Sequence, residues 1–193
     1  SEARASSLRR LVRPDGGVLL SQSDLIADDK SFTTSLADGW RIGLRNPLPE
    51  AGAWSHLYGS SNNSAFGGEA LSGIRKTEEL EVQWLGRPGP RYQPDRNGRK
   101  PSPLSVAGRL YLQGLQRVIA LDAYNGAILW SLELPRLGRF NMPRDCGNWC
   151  ADRDHVFIAI GQECWKLDGR TGNVMAKLAV GEGSEWGYLA RAG

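Results

Sequence analysis

The chain has 193 residues, 40% of them apolar and 23% charged, a balance that favours an ordered globular protein over a disordered one. Its net charge of +3, with acids and bases interspersed, excludes the basic balance of a nucleic-acid-binding chain. No stretch approaches the ~20 apolar residues of a membrane-spanning helix.

No signal-peptide order opens the chain, so the sequence reads as soluble, with cytoplasmic and periplasmic settings both open. Twenty-four glycines and seven tryptophans suit many short strands better than long helices, so all-β is the expected class. The first residues read as a helix. Pro47 and Pro49 then remove backbone donors and hold the chain extended, which marks residues 47–52 as a linker between a segment at 1–46 and the main body at 53–193.

Within the main body the chain repeats itself at a fixed offset of 46 residues. Gln116 falls on Gln162, Leu121 on Leu167, Asp122 on Asp168, Gly126 on Gly172 and Leu132 on Leu178, with no gap. The same shift carries Trp130 back to Trp84, a third partial copy. A period of this size fits one four-stranded propeller blade and excludes short solenoid repeats. Pro103–Ala107 and Arg109–Gln113 read as the inner strands of the first unit, Arg117–Asp122 and Ile128–Leu134 as its outer pair. All are too short for helices. Asp122 to Gly126 supplies Asp, Asn and Gly where the chain must reverse, because Gly and Asn tolerate positive φ at little cost. The second unit reads likewise as Trp149–Asp152, His155–Ile160, Cys164–Asp168 and Asn173–Val180. The predicted blades are residues 101–135 and 147–181, and Trp186–Gly193 reads as the innermost strand of a further blade.

Ala120-Leu121-Asp122-Ala123-Tyr124-Asn125-Gly126-Ala127-Ile128-Leu129-Trp130 resembles the tryptophan-docking motif of pyrroloquinoline-quinone-type repeats, Ala-x-Asp-x-x-Thr-Gly-x-x-x-Trp, with Asn125 in place of Thr. The second copy keeps Asp168, Thr171 and Gly172 but has Lys166 for the first Ala and Ala176 for Trp. The resemblance implies a partial β-propeller in which Asp122, Gly126, Trp130, Asp168, Gly172 and Trp84 are structural, each Trp packing between adjacent blades. The family includes quinone-dependent alcohol dehydrogenases and non-enzymatic scaffolds of the BamB type. Those dehydrogenases use adjacent cysteines over the cofactor, a calcium or lanthanide site and a catalytic Asp, whereas no two cysteines here are adjacent. The expectation is therefore a bacterial, non-catalytic binding scaffold without a cofactor, facing a protein or polysaccharide partner, its remaining blades in the same or another chain. The alternative is part of an oxidoreductase that uses pyrroloquinoline quinone with calcium or acts on sugars.

A finer likeness, carried by Trp54-Ser55-His56-Leu57-Tyr58-Gly59, by Gln83 to Arg91 and by Arg144 to Asn148, is to large propeller proteins of planctomycete-type bacteria. Some of these place a class I methyltransferase-like domain before the propeller, and Leu8 to Leu20 resembles the late helix-turn-strand of such domains, with Asp15 interrupting the usual Pro-Gly-Gly turn. That likeness implies a short α/β tail over 1–46, with a helix near Asp29–Ala37 and a strand at Trp40–Arg45. It also raises a second alternative, an accessory domain of an S-adenosylmethionine-dependent methyltransferase, although the glycine-rich loop that holds this cofactor is absent from the sequence.

Two polar clusters precede the predicted inner strands: Arg91, Asp95, Arg96 and Arg99 before the first, and Arg144, Asp145, Cys146 and Asn148 before the second. In a propeller such connections gather on one face near the axis, where recurring Arg and Asp suit an anionic or polyol ligand; the competing reading is salt bridges that fix loop geometry. Three cysteines and two histidines fall short of a structural zinc site. His56 stands without a nucleophile motif and reads as a packed residue beside Trp54 and Tyr58. Cys146 has Arg144 to lower its thiol pKa and Asp145 to oppose that shift.

Overall fold

Short runs of β-branched and aromatic residues, punctuated by Gly, Asn and Asp, form antiparallel hairpins throughout the computed structural model, which describes residues 2–70, 74–86, 101–114, 116–137 and 147–192, with side chains from residue 7 onward. Contacts divide the chain into two units, Ser1–Ala51 and Gly52–Gly193.

The first unit has one helix, α1 (Glu2–Leu11), followed by β1 (Val18–Ser21), β2 (Phe32–Ala37) and β3 (Trp40–Arg45). The strands form an antiparallel sheet of order β1-β3-β2. The helix expected near Asp29–Ala37 is instead strand β2, a correction with a local cause. Thr33 and Thr34 are β-branched, and Asp38-Gly39 takes positive φ at both positions (48° and 78°), the geometry of a two-residue hairpin turn matched to strand twist. Ile26 and Phe32 are buried in this unit. Gly43 is required beside them, since a Cβ there would lie 2.2 Å from Ile26 Cδ1.

In the second unit β4 (Leu104–Val106), β5 (Arg109–Gly114), β6 (Arg117–Asp122) and β7 (Ile128–Glu133) form one four-stranded antiparallel meander. The strands β8 (Trp149–Ala151), β9 (His155–Ile160), β10 (Glu163–Asp168) and β11 (Val174–Ala179) form another. The repeat extends to irregularities: the register shifts between Ala120 and Leu121 in the first sheet and between Lys166 and Leu167 in the second, the same place in each unit. Alternation along the strands sends Leu104, Tyr111, Val118, Ala120 and Trp130 of the first sheet into one cluster with Trp149, Val156, Ile158 and Leu167 of the second. Burial of this shared face is the main stabilising term, since apolar area removed from water contributes roughly 25 cal/mol per Å².

Two further segments touch the inner strands. Trp54 exchanges both backbone hydrogen bonds with Ser105 of β4, and the Ala151 N–H of β8 donates to the Ser55 carbonyl, so residues 54–55 span the inner edges of both sheets. Residues 186–192 do not form the strand expected there. Their backbone donors go to scattered acceptors, Trp186 N–H to Gly161 and Leu189 N–H to Gly147, rather than along one ladder.

Candidate functional site

Tryptophan docking occurs twice with the same parts, once between the two sheets and once on the turn of the first sheet. The Trp130 Nε1–H donates to the Gly169 carbonyl at 3.1 Å, and its ring lies on Gly172. One repeat earlier, Trp84 Nε1–H donates to the Ala123 carbonyl at 2.9 Å and its ring lies on Gly126. In both cases 39 residues separate donor from acceptor. A Cβ would come within 2.5 Å of Trp84 at Gly126 and within 2.7 Å of Trp130 at Gly172, and both glycines have φ near +75° (74° and 75°), so each is needed for space and for conformation. The turns that present these glycines are held by side-chain caps. Asp122 Oδ1 accepts from the Tyr124 N–H, and Asp168 Oδ1 accepts from the N–H groups of Arg170 and Thr171 and from the Thr171 hydroxyl. Asn125, the departure from the motif, accepts from the Ala127 N–H as Thr171 accepts from Asn173, so the substitution keeps one of the two bonds Thr makes.

A four-stranded meander repeated with a tryptophan from one unit seated on the turn of the next is a blade. The fold is a partial β-propeller. No protein-family model and no curated protein matches the chain. Among solved structures it is similar to a europium-containing methanol dehydrogenase (20% identity, TM-score 0.32, covering 42% of this chain and 15% of that one). It is also similar to BamB from Moraxella catarrhalis (20%, 0.33, 42% and 23%) and to the quinohemoprotein alcohol dehydrogenase ADHIIG from Pseudomonas putida HK5 (19%, 0.34, 47% and 14%). The chain thus spans less than a quarter of the length of each of these structures.

The first blade adds two donors to its seam. Tyr111 O–H donates to the same Gly169 carbonyl that receives Trp130, while Arg109 Nε–H donates to the Tyr111 oxygen and Arg109 Nη2 to the Arg153 carbonyl. Burial, the largest influence, raises the Tyr111 phenol above its ordinary pKa, so it stays a neutral donor.

A cleft of about 500 Å³ opens at the β8–β9 turn, lined by Ser55, His56, Ser61, Asp152, His155 and Arg191 among others. Asp152 organises it: Oδ1 accepts the N–H groups of Asp154 and His155, and Oδ2 pairs with Arg191. His56 is buried, its Nε2 accepting the Arg191 N–H at 3.1 Å and its Nδ1 lying 2.8 Å from Ser55 Oγ. Accepting at Nε2 leaves Nδ1 as the protonated nitrogen, so the ring donates to Ser55, whose own hydroxyl points to the Gly59 carbonyl. An activated serine needs the opposite polarity, with the imidazole accepting its proton. Burial lowers the His56 pKa and keeps the ring neutral.

Of the predicted polar clusters, Arg91, Asp95, Arg96, Arg99, Arg144, Asp145 and Cys146 lie outside the described residues. Asn148 is fully buried at the start of β8, at the opposite end of that strand from the cleft, and among the described residues neither atom of its amide has a hydrogen-bond partner. Cys150 and Cys164 are buried free thiols on β8 and β10, with β9 between them. Burial, reinforced by Cys164, pushes the Cys150 thiol up to about 12, and burial likewise raises Cys164, which leaves both poor nucleophiles. Among the described residues no group of three or more His, Cys, Asp or Glu side chains is arranged to hold a metal. Among the described residues the two thiols are separated by β9 rather than adjacent, unlike the cysteine pair of the quinone-dependent dehydrogenases.

Sequence reasoning missed Asp152, His155 and Arg191. Asp152-Arg153-Asp154-His155 carries a legible signal, since an Asp side chain habitually caps N–H groups two and three residues on. Nothing local signals the meeting of His56 with Arg191, 135 residues away.

Proposed function

We propose that this chain is a non-catalytic propeller segment that serves as a binding scaffold, presenting the loops that enter its inner strands to a protein or polysaccharide partner. The observation that carries this reading is the polarity of the one Ser-His contact in the cleft: His56 directs its proton toward Ser55, and the nearby thiols are raised by burial, so the polar groups are spent on holding backbone rather than on activating a nucleophile. Arg91, Asp95, Arg96, Arg144, Asp145 and Asn148 are the residues assigned to ligand contact, with anionic and polyol groups as the chemistry that Arg and Asp side chains recognise.

The test is a binding series against acidic and neutral oligosaccharides by calorimetry, repeated with R91A/R144A. Binding of an acidic member that the double variant weakens tenfold or more supports the site. Incubation with pyrroloquinoline quinone and calcium, followed by gel filtration, separates the scaffold from an oxidoreductase: quinone absorbance co-eluting with protein overturns the scaffold reading. For residues 1–46 we also infer a methyltransferase-like tail from the sequence of the Leu8–Leu20 run alone. With no glycine-rich loop in this sequence, titration with S-adenosylmethionine is expected to give no heat of binding.

A further inference from the structure

The Arg191 backbone N–H is bound by a ring nitrogen rather than by a carbonyl, and that acceptor, unlike a carbonyl, disappears when it takes a proton. We propose that His56 is an acid-sensitive latch that holds residues 189–191 against the second blade.

Three observations meet at this point. First, His56 is only 3% exposed and sits on the segment that spans the inner edges of both blades, so its position is fixed by Trp54–Ser105 and Ala151–Ser55 backbone bonds rather than by the residues it holds. Second, both ring nitrogens are engaged in one tautomer, Nδ1–H toward Ser55 and Nε2 toward Arg191. Protonating Nε2 turns an acceptor into a second donor facing an N–H, and no ring rotation restores the bond, because Nδ1 already carries a proton. Third, the residues so held cover something: Leu189 is buried with Cys150, Ala159 and Cys164, Trp186 packs on the same cluster, and the Arg191 guanidinium lies over the Phe157 ring at 5.4 Å. Release of the Arg191 backbone uncovers the outer face of the second blade.

The charged groups around His56 come from two elements. The β8–β9 turn contributes Asp152, Arg153, Asp154 and His155, and the held segment contributes Arg191. Two carboxylates and two guanidinium groups balance, so the cleft offers the imidazolium no net counter-charge, and the lost acceptor decides the outcome. Burial sets the folded His56 pKa below its ordinary 6.5. A depressed His pKa means the released state binds more protons than the latched one, so the latch is at full strength above pH 6.5 and weakens as pH falls from there toward the folded value.

The test is hydrogen exchange at the Arg191 and Leu189 amides between pH 7.5 and 5, corrected for intrinsic exchange. One-proton coupling permits a loss of protection of up to about tenfold per pH unit. Wild type is expected to lose roughly tenfold over the range. H56Q, whose side-chain carbonyl can accept without titrating, should remain protected and flat, while H155Q should keep the wild-type profile. A flat wild-type profile, an unchanged slope in H56Q, or a slope abolished by H155Q each overturns the latch. The ¹⁵N shifts of the wild-type ring give a check that needs no variant: Nε2 must be the unprotonated nitrogen at pH 7.5, and the other tautomer ends the proposal.

Discussion

The two blades share strand lengths, register shifts and turn caps, yet they differ at the three positions that build the seam. Arg109, Tyr111 and Trp130 in the first blade correspond, at the 46-residue offset, to His155, Phe157 and Ala176 in the second. In the first blade all three side chains reach across to the second, two of them onto one carbonyl, that of Gly169. In the second, the Arg191 guanidinium lies over Phe157, His155 faces Asp152 within its own turn, and Ala176 sits on an exposed strand. The strand plan and the docking chemistry are therefore separable: alternation and turn residues make a blade, and a few large polar-tipped side chains decide what it binds to.

Trp130→Ala removes an indole that is 8% exposed, its hydrogen bond to Gly169 and its ring contact with Tyr111 at 6.0 Å. A loss of about 3–5 kcal/mol in urea unfolding is expected. Trp84→Ala, from a partly buried site, should cost clearly less; equal losses would show that the two seams are not graded by burial. Gly172→Ala comes next. It forces a side chain into positive φ, about 1–2 kcal/mol, and against the Trp130 ring, about 1–3 kcal/mol more. Gly161→Ala is the control, at φ 61° with nothing within 4 Å of the added Cβ, and should show the conformational part alone.

Tyr111→Phe makes the first blade resemble the second at this position. It deletes the donor to Gly169 and the acceptor of Arg109 Nε, leaving a buried charged group short of one partner, so about 1–3 kcal/mol is expected from thermal or urea unfolding. A neutral result would mean that Arg109 recovers its bond elsewhere and that the seam rests on the indole alone.

These side chains also show how far a sequence carries the reader. Asp122, Gly126 and Trp130 are legible because the motif is local: the cap, the positive φ and the docking ring lie within a few residues of one another and repeat at a fixed offset. Tyr111 looks like any strand residue, because its role depends on where the next blade places Gly169, 58 positions away. The same holds for His56 and Arg191. In the first unit the helix implied by the likeness over Asp29–Ala37 gives way to a strand, and the Asp38-Gly39 turn, with positive φ at both positions, is the local chemistry that decides it. The Arg and Asp clusters before the inner strands are legible only by their recurrence, and of them Asn148 alone stands among the described residues, buried and with no partner for its amide among those residues.

The smallest effect concerns the second-blade turn, which keeps its cap although the blade has lost its tryptophan. The N–H of Thr171, with that of Arg170 and the Thr171 hydroxyl, holds the Asp168 carboxylate below its ordinary pKa of 3.8. A depressed carboxylate pKa means the native turn binds fewer protons than the unfolded chain, so its contribution is present above 3.8 and disappears as pH falls through the folded value. Asp168→Asn should keep most of the cap at pH 6, since an amide oxygen still accepts. It should also shrink the drop in urea midpoint between pH 6 and pH 3 relative to wild type. The turn must be capped even here because Gly172 still receives Trp130 from the blade before: the first blade's docking depends on the second blade's turn. Equal acid sensitivity in the variant and wild type would mean that the seam tolerates a loosened turn, and that the indole, not the carboxylate, sets its geometry.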